Sequence, residues 1–549
     1  MINSKKTCSL LLVLLLLTIK SFSNNIQISN ISIVNGGPGL IQVQFDVSWD
    51  NSWRVNVGPA NYDGAWVFFK YKDISGDWKH MNLTGTNNVV PAGFDVYQTT
   101  SFNKAGAMLF RDDTNLGAGT TTITGVKLGV ISTLPYDIDV KGFAIEMVYI
   151  PQHTVRPFFG DGDGTNESTN AFHYSDNTAT TGSVVPMLVD LNSFDDAELD
   201  TDGMYVYSND TIQLTSPLGT LDPFPTIKPL WCMKYELSQG AYRDFLNTLD
   251  YTQQVTRTQN LPASPTGTGA MTTAGLGRAT IEIKTPGIAS TTPAVYGCDG
   301  NNNNIYDEAN DAEWIACNYI NWQDMAAYLD WSGLAPMSEL QFERICRGGS
   351  SAGANPASFG EFAWGTNTIA AFGYTISGTN TASEFFSNTS LSQGNAVYAG
   401  TYVGGPVRNG IFATGSSNRI TSGASYYGVM EMTGNLAEYC IHLGSIAGRS
   451  CRYVPNGNGV ISANGNAQLS VGGAGFWPGM EGNGSTGVAN TCAGTCEISG
   501  FNSGSAGIRL RGGSFQDNAA DVAMADRGQL FTPTARAVNR GGRGVLYLR

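Results

Sequence analysis

The segment Arg509–Arg549, RLRGGSFQDNAADVAMADRGQLFTPTARAVNRGGRGVLYLR, is the stretch from which the rest of the chain is most easily read. It opens on Arg511-Gly512-Gly513-Ser514-Phe515, places Asp517 two residues after Phe515, and places Val522 five residues beyond that. Neither cysteine nor histidine occurs anywhere in it.

At the opposite end, Lys5 and Lys6 precede an apolar run from Leu10 to Leu17, and Ser21-Phe22-Ser23 puts small residues at the positions a signal peptidase reads. Cleavage after Ser23 is expected, giving a protein that is secreted, periplasmic or extracellular. The run is too short for a permanent bilayer helix, and no later stretch reaches about 18 consecutive apolar residues, so no membrane span is expected. Cys8 lies before the apolar run, which argues against a lipid-anchored cysteine. Loss of Lys5, Lys6 and Lys20 takes the formal charge from -14 to -17, a surface that repels phosphate backbones and excludes nucleic acid as a partner. Of nine cysteines, all but Cys8 remain, and an even number in an exported chain favours disulfides.

A chain of 549 residues exceeds one ordinary core, and 67 glycines with only 14% charged residues point to turns and short strands. Residues 24–142 read as a separate β-sandwich of immunoglobulin-like type, after a signal peptide at 1–23. In Ile41, Val43, Phe45, Val47 and Trp49 every second position is apolar, the pattern of a strand with one buried face. Further strand-like runs follow at Ala65–Tyr71, Ala107–Phe110, Thr121–Ile131 and Asp137–Val140. His80, a lone imidazole, is expected at the surface.

The second domain, residues 143–549, opens on Phe143-Ala-Ile-Glu-Met-Val-Tyr-Ile-Pro151. Trp231-Cys-Met-Lys-Tyr-Glu-Leu-Ser238 then leads into a helix in which Tyr242, Phe245, Leu246 and Leu249 share a face. Cys317-Asn-Tyr-Ile-Asn-Trp322 precedes a helix capped by Asn321, with Asp324 in its first turn and a stop at Gly333. Pro336-Met-Ser-Glu-Leu-Gln-Phe-Glu343 carries a capping box by spacing, Ser338 with Gln341. Phe362-Ala-Trp-Gly365 and Gly428-Val-Met-Glu-Met-Thr-Gly-Asn-Leu-Ala-Glu-Tyr439 complete the series ahead of Arg511–Phe515.

In this order the landmarks resemble those of the formylglycine-generating, sulfatase-modifying family: F-x-M-V-x-I-P, P-V-x-x-V-x-W, L-P-T-E-A-E-W-E, Y-P-W-G, G-L-Y-D-M-x-G-N-V-W-E-W and R-G-G-S-[FY]-x-C-x4-C. The resemblance implies an α+β, loop-rich fold related to C-type lectins, with extra length in insertions at about 250–310 and 366–425. It also implies that two copper-binding cysteines stand where this chain has Asp517 and Val522, so that Ser514, Asp517 and Val522 mark a degenerate catalytic site and the chain is a pseudoenzyme. A structural calcium site carried over from the family would use Glu431, the carbonyls of Gly434 and Leu436, and Glu438, all oxygen donors suited to a hard cation. A second carried-over site would begin at Asn395 with the carbonyl of Ala396.

Independently, Asp299, Asn301, Asn303 and Asp307 follow a calcium-loop spacing, with Asn304 where glycine usually stands; the competing reading is an Asn-rich surface loop. Asp161-Gly-Asp163-Gly reads as a turn, and His153, His173 and His442 as structural. Cys492-Ala-Gly-Thr-Cys496 is the one thiol pair near the degenerate site, and it is expected to be disulfide-bonded rather than a redox centre. Three functions follow. The favoured one is a non-catalytic scaffold that binds a protein or glycan ligand at the cell surface. The second is a copper-dependent oxidase converting a sulfatase cysteine to formylglycine. The third is a lectin-like receptor that uses the segment Gln516–Asn539.

Overall fold

In the computed structural model the described residues are 25–548 apart from 38, 99–103, 132–133, 136–137, 153–157, 160–171, 175–186, 189–203, 207–227, 349–359, 402, 443–454, 469–476, 478–506 and 529–534. Residues 1–23, expected to be a signal peptide, and Asp161, Asp163, His153, Cys451, Cys492 and Cys496 lie outside them, and so does the side chain of His173.

The amino-terminal part contributes β1 (Gln27–Gly37), β2 (Leu40–Arg54), β3 (Asp63–Lys72), β4 (Trp78–His80), β5 (Phe94–Tyr97), β6 (Ala107–Arg111) and β7 (Gly117–Val130). Strands β1, β2 and β7 form one antiparallel sheet. The alternation read from β2 holds: Val43, Phe45, Val47 and Trp49 are buried, against Ala65, Val67 and Phe69 of β3. Strand β3 is buried on both faces, because its other residues, Trp66 and Phe68, enter a second core with Trp231 and Trp331.

That second core belongs to the rest of the chain. Strand β8 (Val140–Ile150) pairs with β3 along one side, from Val140 to Val148, and with β13 (Leu230–Met233) on the other, from Met147 to Ile150. With β21 (Val545–Tyr547) outside β13, these strands form a seven-stranded sheet in the order β21-β13-β8-β3-β6-β5, with β4 on β3. The sheet therefore runs without interruption across the boundary read between 142 and 143, and the two segments share strands as well as a core. Of the run Asp137–Val140, Asp137 lies outside the described residues, Ile138 and Asp139 belong to no strand, and Val140 starts β8.

His80 departs from the expected surface position. It is buried, with Nδ1 2.9 Å from Lys70 Nζ, and Lys70 donates to the carbonyls of Trp331 (2.8 Å) and Gly459 (2.6 Å). The β3–β4 hairpin lies against the carboxy-terminal part of the chain, a contact that no local pattern announces.

Between β8 and β13, β9 (Phe158–Phe159) pairs with β11 (Met187–Leu188), and β10 (Phe172–Tyr174) with β12 (Met204–Val206). The helices are α1 (Gln239–Leu246), α2 (Tyr251–Arg257), α3 (Trp322–Ser332) and α4 (Glu339–Arg347). Ser238 caps α1, the capping box predicted from spacing starts α4 (Ser338, Gln341), and the predicted Asn321 cap of α3 proves to be a capping box with Asp324. Gly333 ends α3 in the left-handed conformation at φ 76°. Short hairpins β14 (Ile281–Thr285) with β15 (Val295–Cys298) and β16 (Ile376–Ser377) with β17 (Phe385–Phe386) lie within the two extra-length regions. A last sheet, β18 (Ala437–Ile441) between β19 (Ile508–Arg511) and β20 (Arg540–Gly541), carries the carboxy-terminal motifs.

Candidate functional site

Strand β19 delivers Arg511 to the core and then turns at Gly512 and Gly513, both at positive φ (80° and 62°). A Cβ at Gly513 would lie 2.6 Å from the Asp521 carbonyl and from a Val522 methyl, so the chain can double back only through glycine. The turn delivers Ser514 into a buried position. Its backbone N–H and its Oγ both donate to Asp517 Oδ2, at 2.8 and 2.5 Å, and Gln516 N–H donates to Ser514 Oγ at 3.2 Å. Asp517 thus closes the loop that follows the glycines. Val522 is fully buried in a cluster with Phe362, Trp364, Ala396, Tyr398 and Ala523. Of the two residues in question, one is a turn cap and the other a core side chain.

Beneath the turn lies a buried charge network. Arg511 donates to Glu343 (2.7 Å), to Glu339 (3.4 Å) and to the Met524 carbonyl (2.7 Å), while Arg527 and His442 both contact Glu339. Burial alone would raise the Glu339 carboxyl, but Arg527 and His442 outweigh it and hold the group well below the usual range. His442, expected to be structural, lies in this network.

The Gly434-Asn435 turn adjoins the first one. Phe515 N–H donates to the Asn435 carbonyl (2.9 Å), and Gly434 N–H to the Gly512 carbonyl (2.8 Å), so the two sequence motifs are cross-linked through their backbones. Asn435, at φ 63°, accepts from Val407 N–H and donates to Glu236; Leu436 N–H donates to the other Glu236 oxygen at 3.0 Å. Glu236 is a site residue that sequence reasoning missed. Its only signal was a position inside a recognised landmark, and its partners lie about 200 residues away.

The predicted calcium donors meet this geometry as follows. Glu438 is gripped through both oxygens by Arg543, at 2.7 and 2.6 Å. Glu431 accepts from Gly410 N–H (2.7 Å) through one oxygen, and its Oε2 is buried without a hydrogen-bond partner. Burial, above all, pushes the Glu431 carboxyl up to about 7. A guanidinium already neutralises Glu438, so this donor set does not fit a calcium ion as arranged.

In the Asp299 loop, Asp299 accepts from the N–H groups of Asn303 and Asn304, while Asn301 and Asn303 aim their amides at Glu308. Asp307 faces Arg243 and Lys284 rather than the other three residues. This is the geometry of a self-bonded Asn-rich turn. Asn395 uses its side chain on Tyr374, Ser390 and the Thr421 carbonyl, and Ala396 is buried beside Val522. Among the described residues, no group of three or more His, Cys, Asp or Glu side chains is placed to hold a metal ion.

Cys232, Cys298, Cys317, Cys346 and Cys440 are buried free thiols, a correction to the disulfide expectation for these five. Burial pushes Cys232 up to about 12, so it behaves as a small apolar side chain.

Residues 223–546 match the family model of the sulfatase-modifying factor enzyme 1-like domain. The chain belongs to that family, in agreement with the motif order. Among solved structures it is similar to Treponema denticola variable protein 1, at 12% identity and a TM-score of 0.30, covering 74% of this chain and 95% of that one. No curated protein matches the chain. No helix among the described residues is long and apolar enough to cross a membrane.

Proposed function

We propose that the chain is an exported, non-catalytic binding or scaffold protein built on the sulfatase-modifying-factor fold. The observation that carries this reading is the pair Asp517 and Val522: the first caps the Ser514 turn and the second fills a hydrophobic cluster. Neither offers a soft donor, and without thiolates no copper(I) is held to activate oxygen. The buried network of Arg511, Glu339, Glu343 and Arg527 keeps the loop in place while its outer residues, Gln516, Asn518 and Ala520, stay exposed. A rigid base under an exposed loop is what a binding surface on this fold requires, since function resides in sites rather than in the fold.

The test is incubation of the purified protein with a C-x-P-x-R sulfatase peptide, copper and oxygen, followed by mass spectrometry. The expected result is no conversion of cysteine to formylglycine. Turnover above the no-protein control, lost on changing Cys492 and Cys496 to Ser, would replace the scaffold reading with the oxidase one.

A further inference from the structure

We propose that the cleft between the β3–β4 hairpin and the α1–α2 connection binds an acidic saccharide, its anionic group held by Lys72 and Lys141. The cleft is about 490 Å³, within the range of small-ligand sites. Its walls come from β4, the start of β8, the residues that join α1 to α2 and the segment before β15. Ser514, Asp517 and Val522 do not line it, so the proposal stands or falls apart from the scaffold reading.

Strand register brings the cations together. Lys72 of β3 is opposite Trp78 of β4, and Lys70, two residues earlier on β3, is opposite Lys141 of β8. Trp78, Lys72 and Lys141 therefore share one face of the sheet. The Trp78 side chain carries both ammonium groups, with Lys141 Nζ 4.5 Å and Lys72 Nζ 5.8 Å from the ring centroid. Lys72 is exposed, Lys141 is half-buried, and both line the cleft. Neither is in an ion pair with a carboxylate among the described residues, whereas Lys79 beside them is paired with Asp73 and Asp77. In a chain with 45 Asp and Glu against 31 Lys and Arg, carboxylates are abundant, so two convergent lysines left without one stand out as a place for an outside anion. Like charges held at one ring repel, and an anion between them would relieve the repulsion. Burial, with Lys72 and Arg243 nearby, pushes the Lys141 ammonium below its ordinary value against the opposing pull of Asp244.

The rest of the lining favours a hydroxylated ligand. Asp250 accepts from Gln253 N–H at 2.9 Å, Asp77 accepts from Ser75 Oγ at 3.1 Å, and both carboxylates border the cleft. Sugar hydroxyls donate to such acceptors, while a second anionic group on the ligand would be repelled by them. Asn247 and Gln253 are fixed by their bonds to the Tyr296 backbone and the Ser462 carbonyl, which holds that wall in place. The indole of Trp78 supplies an apolar surface for the C–H face of a pyranose ring. One anionic group, several hydroxyls and one apolar face describe a uronic acid or a singly sulfated sugar.

Ligand-observed NMR titration of the full chain with methyl glucuronide and methyl glucoside at neutral pH tests the proposal, because the two differ by a carboxylate in place of a hydroxymethyl group. The glucuronide should bind at least about tenfold more tightly, and Lys72→Gln and Lys141→Gln should each reduce that preference. Trp78→Ala should weaken both sugars. Lys72 is exposed, so Lys72→Gln decides the matter even if Lys141→Gln does not fold. A singly sulfated glucose distinguishes the two anions, and a preference for either over the neutral sugar supports the proposal. Equal weak affinity for charged and neutral sugars, no binding of either charged sugar up to about 10 mM, a preference unchanged in Lys72→Gln, or acetate competing as strongly as the glucuronide would overturn it.

Discussion

Arg543 holds both carboxylate oxygens of Glu438 in a fully buried fork, with Nε at 2.7 Å and a terminal nitrogen at 2.6 Å. The pair joins the segment before β21 to β18, and Arg543 also donates to the carbonyls of Met233 and Lys234 next to β13. It therefore ties the seven-stranded sheet to the three-stranded sheet that bears the Ser514 turn. Removing one partner leaves a naked buried charge, so Arg543→Met should cost about 3 to 5 kcal/mol in urea unfolding. Adding Glu438→Leu to that variant should recover part of the loss. A single-variant cost below about 1 kcal/mol, the range of a surface pair, would mean that the fork does not join the sheets.

The same fork bears on calcium. A ligand that binds only the folded state raises the thermal midpoint by mass action, and its removal lowers it. With Glu438 committed to Arg543 and Asp307 to Arg243 and Lys284, neither donor set is free, so excess EDTA should leave the midpoint unchanged. A fall on chelation that calcium reverses would show that one of these carboxylates changes partner.

Much of this was legible in local sequence. The caps at Asn321 and Ser338, the stop at Gly333 and the alternation of β2 depend on residues within a few positions of one another, and all appear as read. The order of the landmarks gave the family. What could not be read were partners far apart in the chain: Arg543 with Glu438, 105 residues away, Glu236 with Asn435, 199 away, and Lys70 with Gly459, 389 away. Periodicity reports which face is buried, not what lies against it. The burial of His80 and the continuity of the sheet through β8 escaped for that reason.

Restoring thiols tests the alignment of the degenerate site. Asp517→Cys with Val522→Cys should create copper(I) binding that the parent chain lacks, detectable by competition with a chromogenic chelator. The change has a cost, because Asp517 is the acceptor for Ser514 N–H and Oγ, and losing a cap of this kind is worth about 1 kcal/mol. The variant should thus bind copper and melt earlier. Failure to bind copper in a folded double variant would mean that the two positions do not converge.

The buried carboxylates make a pH prediction whose sign can be worked out for Glu431. Burial raises its folded pKa to about 7 from an ordinary 4.5, so between those values the folded protein holds a proton that the unfolded chain has released. Stability from this group is therefore greatest near the lower value and declines as pH rises to the upper one, by about 1 to 3 kcal/mol. The charges that act on it are Arg543, Arg408 and Glu438, besides the Gly410 N–H that it accepts. His80 and Lys70 are pushed down by burial and favour the folded state as pH rises, so the whole-protein curve sums opposing slopes. A comparison with Glu431→Gln isolates the one group. From about pH 5 to about pH 8 the parent should lose stability relative to the variant in urea unfolding. A difference independent of pH, or one that moves the other way, would mean that Glu431 is ionised in the folded protein and that its lone oxygen has found a partner.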